Sequence, residues 1–399
     1  MDITITPTKL SGTVRAIPSK SQAHRLLICS AFSDKKTTIL CPETNQDIEA
    51  TADCLRSLGS EITRNDGAYV IEPISIIPRE ATLHCRESGS TLRFMLPIVG
   101  SLGIDTTFVL EGRLPDRPLS PLWEEMERNG CTLVRPTKTT LRCTGKLNAG
   151  DYSIDGSVSS QFITGLLFAL ALMPGKNSLS ISGKLESKPY IDMTQHALNQ
   201  FGVDTKNYTI LSSRPFISPG FLSVEGDWSN GAFFIAANSL GNNVDVDGLN
   251  PTSVQGDRAI SHLLKILERE TVTIDAADIP DLVPILAVAA GALNGATFTN
   301  IRRLRLKESD RIASVCDMLT QLGAKATATE NSMRVYPGSY HGCTIDAVGD
   351  HRIAMAAGVA ATVATGPVTI RSAQCVSKSY PNFWDEYRRL GGQYEQHIR

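Results

Sequence analysis

Several helix starts in this sequence carry cations where helix stability alone would not put them. PSKSQAHR, ESGSTLRF and GDHRIAMA each set a Ser or Asp before a run that is apolar nearly all round. The opening turns of those runs hold Lys20, Ser21 and Arg25, then Gly89 and Arg93, then Arg352. The amino end of a helix bears partial positive charge, so Asp or Glu is the stabilising choice there. A phosphate or carboxylate lying between the helix end and these side chains makes the pattern favourable. Anion binding is the chemistry to expect.

Other polar clusters occupy comparable positions. Ser159-Ser160-Gln161 opens a third apolar run with hydroxyl and amide groups; capping accounts for Ser159 but not for Gln161. LRLKESDR, Leu304 to Arg311, reads most simply as a charged helix start with Ser309 as its N-cap. EGRLPDRPL sets Arg113 and Arg117 close together in a turn that explains its Gly and Pro but not both arginines. Ser187-Lys188-Pro189-Tyr190 precedes another helix, where an early Pro is ordinary. His24, His262 and His351 have no metal-ligand spacing, and no metal is expected.

The elements that must position these residues repeat. Six apolar runs begin at Ser19, Ser88, Ser159, Asp227, Asp281 and Asp350, at intervals of 69, 71, 68, 54 and 69 residues. Ser and Asp are good N-caps because their oxygens accept first-turn N–H groups. A second, amphipathic helix follows each run, ending at Gly59, Gly130, Gly202, Gly323 and Gly391; the equivalent near Leu264 to Arg269 lacks the glycine. Alternating stretches such as SEITRNDGAYVIEP and AKATATENSMRVYPG then read as strands joined by tight turns. The unit is βαβαββ, used six times at about 67 residues. Helices apolar all round must be buried all round, which favours two closed domains of three units over an open solenoid. The boundary falls near Glu225, giving residues 1–18 with 226–399 as one domain and 19–225 as the other. The short fourth interval implies a trimmed hairpin.

Composition bounds the class. With 399 residues, 42% hydrophobic and 20% charged, the chain is an ordinary folded protein of two domains. A net charge of −2 provides no general attraction to nucleic acid or anionic membrane, so an anion site must be built locally. Nine cysteines without a CxxC pair suit reduced thiols in the cytoplasm. MDITITPTKLSG alternates like a strand rather than a signal peptide, and the longest apolar runs, Phe162 to Met173 and Leu282 to Leu293, are too short to span a membrane.

Taken together, PSKSQAHR, ESGSTLRF, LPDRPL, DGSVSSQF, ESKPYID, IPDLVP, RLKESDR, GDHRIAMA and SKSYPNFW resemble the 5-enolpyruvylshikimate-3-phosphate synthase family over essentially the whole length. The resemblance implies an α/β (α+β) enolpyruvyl transferase fold, an inside-out α/β barrel of two domains, with the active site in the cleft between them. It implies transfer of the enolpyruvyl group of phosphoenolpyruvate to the 5-hydroxyl of shikimate 3-phosphate, by a monomer, without metal or organic cofactor. Carried over by motif, Lys20, Ser21, Arg25, Ser159, Ser160, Gln161, Ser187, Asp281 and Lys307 resemble shikimate 3-phosphate contacts. Lys20, Gly89, Arg117, Gln161, Arg311, Arg352 and Lys378 resemble the phosphoenolpyruvate clamp. Asp281 resembles the base for the hydroxyl, Glu308 the proton carrier at the methylene, and Lys20 a further catalytic group. Asp281 also has a plainer role open to it, as N-cap of the helix begun by IPDLVP. The chain departs from the common pattern at Glu87 and Arg303, both asparagine in that pattern; Arg93 or Arg117 would neutralise Glu87.

Two rival readings fit the sequence less well. An enolpyruvyl transferase acting on UDP-N-acetylglucosamine resembles the same fold but carries a reactive Cys in the loop matching Glu111 to Pro118, which here has none. A non-catalytic anion-binding relative would be expected to lack Asp281 or Glu308, and both are present.

Overall fold

The computed structural model describes residues 1–212 and 216–397. The chain forms two compact units, Pro18–Val224 and Met1–Ile17 with Glu225–Arg399. In the first unit the helices are α1 (Lys20–Ala31), α2 (Gln46–Ser57), α3 (Gly89–Leu102), α4 (Leu122–Arg128), α5 (Ser160–Leu172) and α6 (Lys188–Gln200). In the second they are α7 (Trp228–Ser239), α8 (Ile260–Leu267), α9 (Val283–Ala292), α10 (Arg311–Leu322), α11 (His351–Ala361) and α12 (Phe383–Arg389).

The odd-numbered helices are the apolar ones. Every residue of α11 is buried, as is every residue of α9 except Ala292, and α7, α9 and α11 touch one another in pairs. In the other unit α3 lies along α5 so closely that a Cβ on Gly165 would overlap the carbonyl of Arg93. A side chain there would force the two helices apart, at a cost of roughly 1–3 kcal/mol. The starts are capped largely as their sequences predict. Ser19, Ser88, Ser159, Asp227 and Asp350 accept from the amides of Gln22, Thr91, Gln161, Asn230 and Arg352. Gly59, Gly130, Gly202, Gly323 and Gly391 follow the amphipathic helices with positive φ, the conformation that lets the chain turn off a helix end.

Two expected caps are not formed. α9 begins at Val283 after Leu282, with no side-chain cap bond, and the Asp281 carboxylate turns to cations instead. Asp310, not Ser309, caps α10 through the amide of Ala313, while the Ser309 hydroxyl donates to Asp350. In both cases a buried ionic partner outcompetes a local amide, because a charge-assisted bond is the stronger one.

The second and fifth repeats each make a four-stranded sheet with one parallel pair and a hairpin, while the third, among the described residues, makes a three-stranded one: Asp151–Asp155 parallel to Gly175–Ser182, which pairs antiparallel with Thr209–Ser212. Glu80–Arg86 runs parallel to Asp105–Leu110, which pairs antiparallel with Thr140–Gly145 and through it with Cys131–Thr137. Val272–Asp275, Ala296–Thr299, Ser332–Val335 and Ala326–Ala328 repeat that order. Two sheets borrow a distant strand. Phe221–Ser223 supplies the parallel partner of Thr37–Leu40, and Asp2–Thr6 inserts between Val368–Arg371 and Gln393–His397. The fourth repeat is the trimmed one: Asn243–Asp247 pairs parallel with Ser11–Arg15, and no hairpin separates α8 from Val272–Asp275.

A row of buried hydroxyls ties α1, α2 and the start of α3 together. His24 Nδ1 lies 2.7 Å from Thr51 Oγ1, Thr51 lies 2.7 Å from Thr91, and Thr91 donates to Ser88 Oγ at 2.7 Å. Burial pulls His24 down to about 3, so the ring is neutral in the folded protein.

Candidate active site

The predicted residues fall into two clusters, one in each unit. In the Pro18–Val224 unit, Lys20 opens α1 and its ammonium pairs with Asp47 of α2 at 2.9 Å. Ser21 follows it, and its carbonyl accepts from Arg25 Nη1 at 2.6 Å. Arg25 is buried, stacked over the Phe94 ring, and bonded also to Thr194, Thr164 and the Tyr190 carbonyl. Burial pulls its guanidinium down to about 10, which leaves it cationic at neutral pH.

Gly89 begins α3 beneath two guanidinium groups. A Cβ on it would lie 2.6 Å from Nη1 of both Arg93 and Arg117. Only a glycine lets both cations close over the helix end, where backbone N–H groups point outward. Arg93 donates to Gln161 Oε1 at 2.9 Å and to the Pro118 carbonyl at 3.1 Å. The Gln161 amide donates on to Ser90 at 2.9 Å. Gln161 is therefore held by two bonds, one to Arg93 and one to Ser90, an orientation that capping by Ser159 leaves unexplained. Ser160 is the first residue of α5 and is buried. Ser187 precedes α6 with φ 55° and makes no side-chain capping bond. That left-handed conformation is disfavoured for a serine and is retained here at a buried helix start. Glu87 packs its side chain over Gly112 in the loop that also holds Arg113 and Arg117.

In the other unit, one carboxylate meets three cations. Asp281 accepts from Arg311 Nη1 at 2.7 Å, from Arg352 Nη2 at 3.1 Å and from Lys307 at 3.4 Å. Arg311 also donates to Glu308 at 2.7 Å and to Asp350 at 2.8 Å. Burial alone would raise the Asp281 carboxyl, but Arg352, Lys307 and Arg311 outweigh it and hold the group well below 3.8. Lys307 is lowered too, but by burial, which pulls it to about 8 against the attraction of Asp281. Arg303 donates to the Ala277 carbonyl at 2.8 Å, and Lys378 is buried at the end of the 3-10 turn Ala373–Lys378, which lies against α11.

The sequence marks the cations together with Asp281 and Glu308, but not two of their other partners. Asp47 and Asp350 hold Lys20 and Arg311, yet each reads in sequence only as a favourable helix-start carboxylate. Asp257, the buried residue of the 3-10 turn Gly256–Ala259, has its carboxyl pushed up to about 7 by burial and by Asp281. No signal in QGDRA marks it.

A sequence model of the family described as EPSP synthase (3-phosphoshikimate 1-carboxyvinyltransferase) matches residues 5–387. A 3-phosphoshikimate 1-carboxyvinyltransferase of Clostridium kluyveri is 38% identical over 418 residues, covering 99% of this chain and 98% of its own. Among solved structures, an EPSP synthase of Acinetobacter baumannii is similar at a TM-score of 0.79 and 23% identity, over 99% of this chain and all of that one. The enolpyruvyl transferase NikO of Streptomyces tendae is similar at 0.74 and 17% identity, over all of this chain and 99% of its own. Those two likenesses establish the fold.

Proposed function

The chain belongs to the EPSP synthase family, and from that premise we propose how its residues carry the family's reaction. The reaction moves the enolpyruvyl group of phosphoenolpyruvate onto shikimate 3-phosphate and releases phosphate, a step of the shikimate pathway to aromatic amino acids. Lys20, Ser21, Arg25, Ser159, Ser160, Gln161, Ser187 and Lys307 hold shikimate 3-phosphate. Lys20, Gly89, Arg117, Gln161, Arg311, Arg352 and Lys378 hold phosphoenolpyruvate. Both substrates are polyanions, so these cations offset charge as well as orient it.

In this reading Asp281 takes the proton of the 5-hydroxyl as its oxygen bonds to the middle carbon of the enol. Glu308 delivers a proton to the methylene, which becomes a methyl group. In the second half the carbon–oxygen bond to phosphate breaks, the methyl group returns a proton, and the double bond re-forms. The observation that carries this assignment is that Asp281 and Glu308 are bound to the same guanidinium, that of Arg311, at 2.7 Å each. Two carboxylates so placed beside an anion-binding cation can serve as base and acid within one reaction. We further take the protein to act as a monomer in the cytoplasm, which its unpaired cysteines favour. The test is phosphate release from phosphoenolpyruvate. Release that requires shikimate 3-phosphate supports the reading, and release indifferent to it points to another acceptor.

A further inference from the structure

Arg311 offers five N–H donors in a planar fork. Four hydrogen bonds from it end on carboxylates of this chain: Nε and Nη2 on Asp350, Nη2 on Glu308 and Nη1 on Asp281. A planar anion is gripped best by two parallel N–H bonds, and that arithmetic leaves no such pair on Arg311. For Arg311 to clamp a substrate anion, one of the three carboxylates must yield.

They differ in how firmly they are held. Asp350 is fully buried, and it also accepts from the Ser309 hydroxyl at 3.0 Å and the Arg352 amide at 3.0 Å. Asp281 and Glu308 keep 17% and 14% of their side-chain surface exposed. Asp281 touches Arg311, Arg352 and Lys307 together. Those are the same cations that the reading above assigns to anionic groups of the substrates.

We infer that Asp281 is an exchangeable counter-ion, which competes with the anionic group of phosphoenolpyruvate for Arg311 and Arg352 and is released from them when that substrate binds. The inference rests on the phosphoenolpyruvate assignment of those two arginines. It has a chemical consequence. A carboxylate held by three cations is a feeble base. Once the substrate anion takes over the guanidinium donors, the carboxylate regains basicity, so the base is made by the binding of the second substrate.

The experiment is calorimetric titration of the full-length protein with phosphoenolpyruvate and, separately, with inorganic phosphate. Wild type is compared with Asp281→Asn, Asp281→Ala and Asp105→Asn. The last removes one negative charge from an exposed pair with Arg142 and controls for net charge. Loss of an internal competitor raises anion affinity, so both Asp281 variants should bind each probe at least about fivefold more tightly, with Asp105→Asn unchanged. A residue that merely contacted substrate would leave affinity equal or lower. Equal or weaker binding by whichever Asp281 variant folds, or an equal gain in Asp105→Asn, overturns the inference. Wild-type turnover is scored separately. Turnover without tighter binding in the variants removes only this inference; tighter phosphate binding without wild-type turnover removes only the substrate assignment.

Discussion

Arg311 and Asp350 form a buried ion pair, Nε to Oδ2 at 2.8 Å, that joins two helix starts: α10 begins at Arg311 and Asp350 caps α11. One carboxylate thus fixes both the guanidinium of Arg311 and the backbone from which Arg352 projects. Breaking a buried pair from one side leaves an uncompensated charge. Asp350→Asn keeps a capping oxygen but should lower unfolding stability by about 3 kcal/mol, read by urea denaturation. Its KM for phosphoenolpyruvate should rise as well.

Gly89→Ala tests the approach of two guanidinium groups to the α3 start. The added methyl would lie 2.6 Å from both Arg93 and Arg117, whose side chains can swing away. Stability should change little. KM for phosphoenolpyruvate should rise roughly tenfold, the equivalent of one charge-assisted hydrogen bond. An unchanged KM would mean that the arginines do not need that position.

Asp281→Asn and Glu308→Gln should each lower turnover by about a hundredfold or more, within the usual range for acid–base groups. Asp281 caps no helix, so α9 should survive its substitution, and circular dichroism should be unaltered. Near-wild-type turnover in either variant would make that carboxylate structural.

His24 predicts a pH dependence independent of catalysis. Its ring titrates at about 3 when folded against 6.5 ordinarily, so the unfolded chain binds more protons between those values. Stability from this group is complete above pH 6.5 and declines as pH falls toward 3, by about 1.4 kcal/mol per unit. His24→Gln should flatten the slope of unfolding free energy between pH 6 and 4. An identical slope in the variant would show that other groups carry it.

The sequence alone determined what is local. Ser19, Ser88, Ser159, Asp227 and Asp350 could be recognised as caps because a capping oxygen bonds an amide two or three residues along the same chain. The five glycines after the amphipathic helices and the missing hairpin of the fourth repeat were legible for the same reason: spacing and residue type suffice. The tertiary structure decided the pairings. Asp281 sits where a cap is expected, yet its partners come from 26, 30 and 71 residues away. Asp2–Thr6 finds its place between strands near the other end of the chain. Such choices depend on which buried charges and strand edges packing brings together, and at Asp281 three cations in a low-dielectric setting outweigh one neighbouring amide.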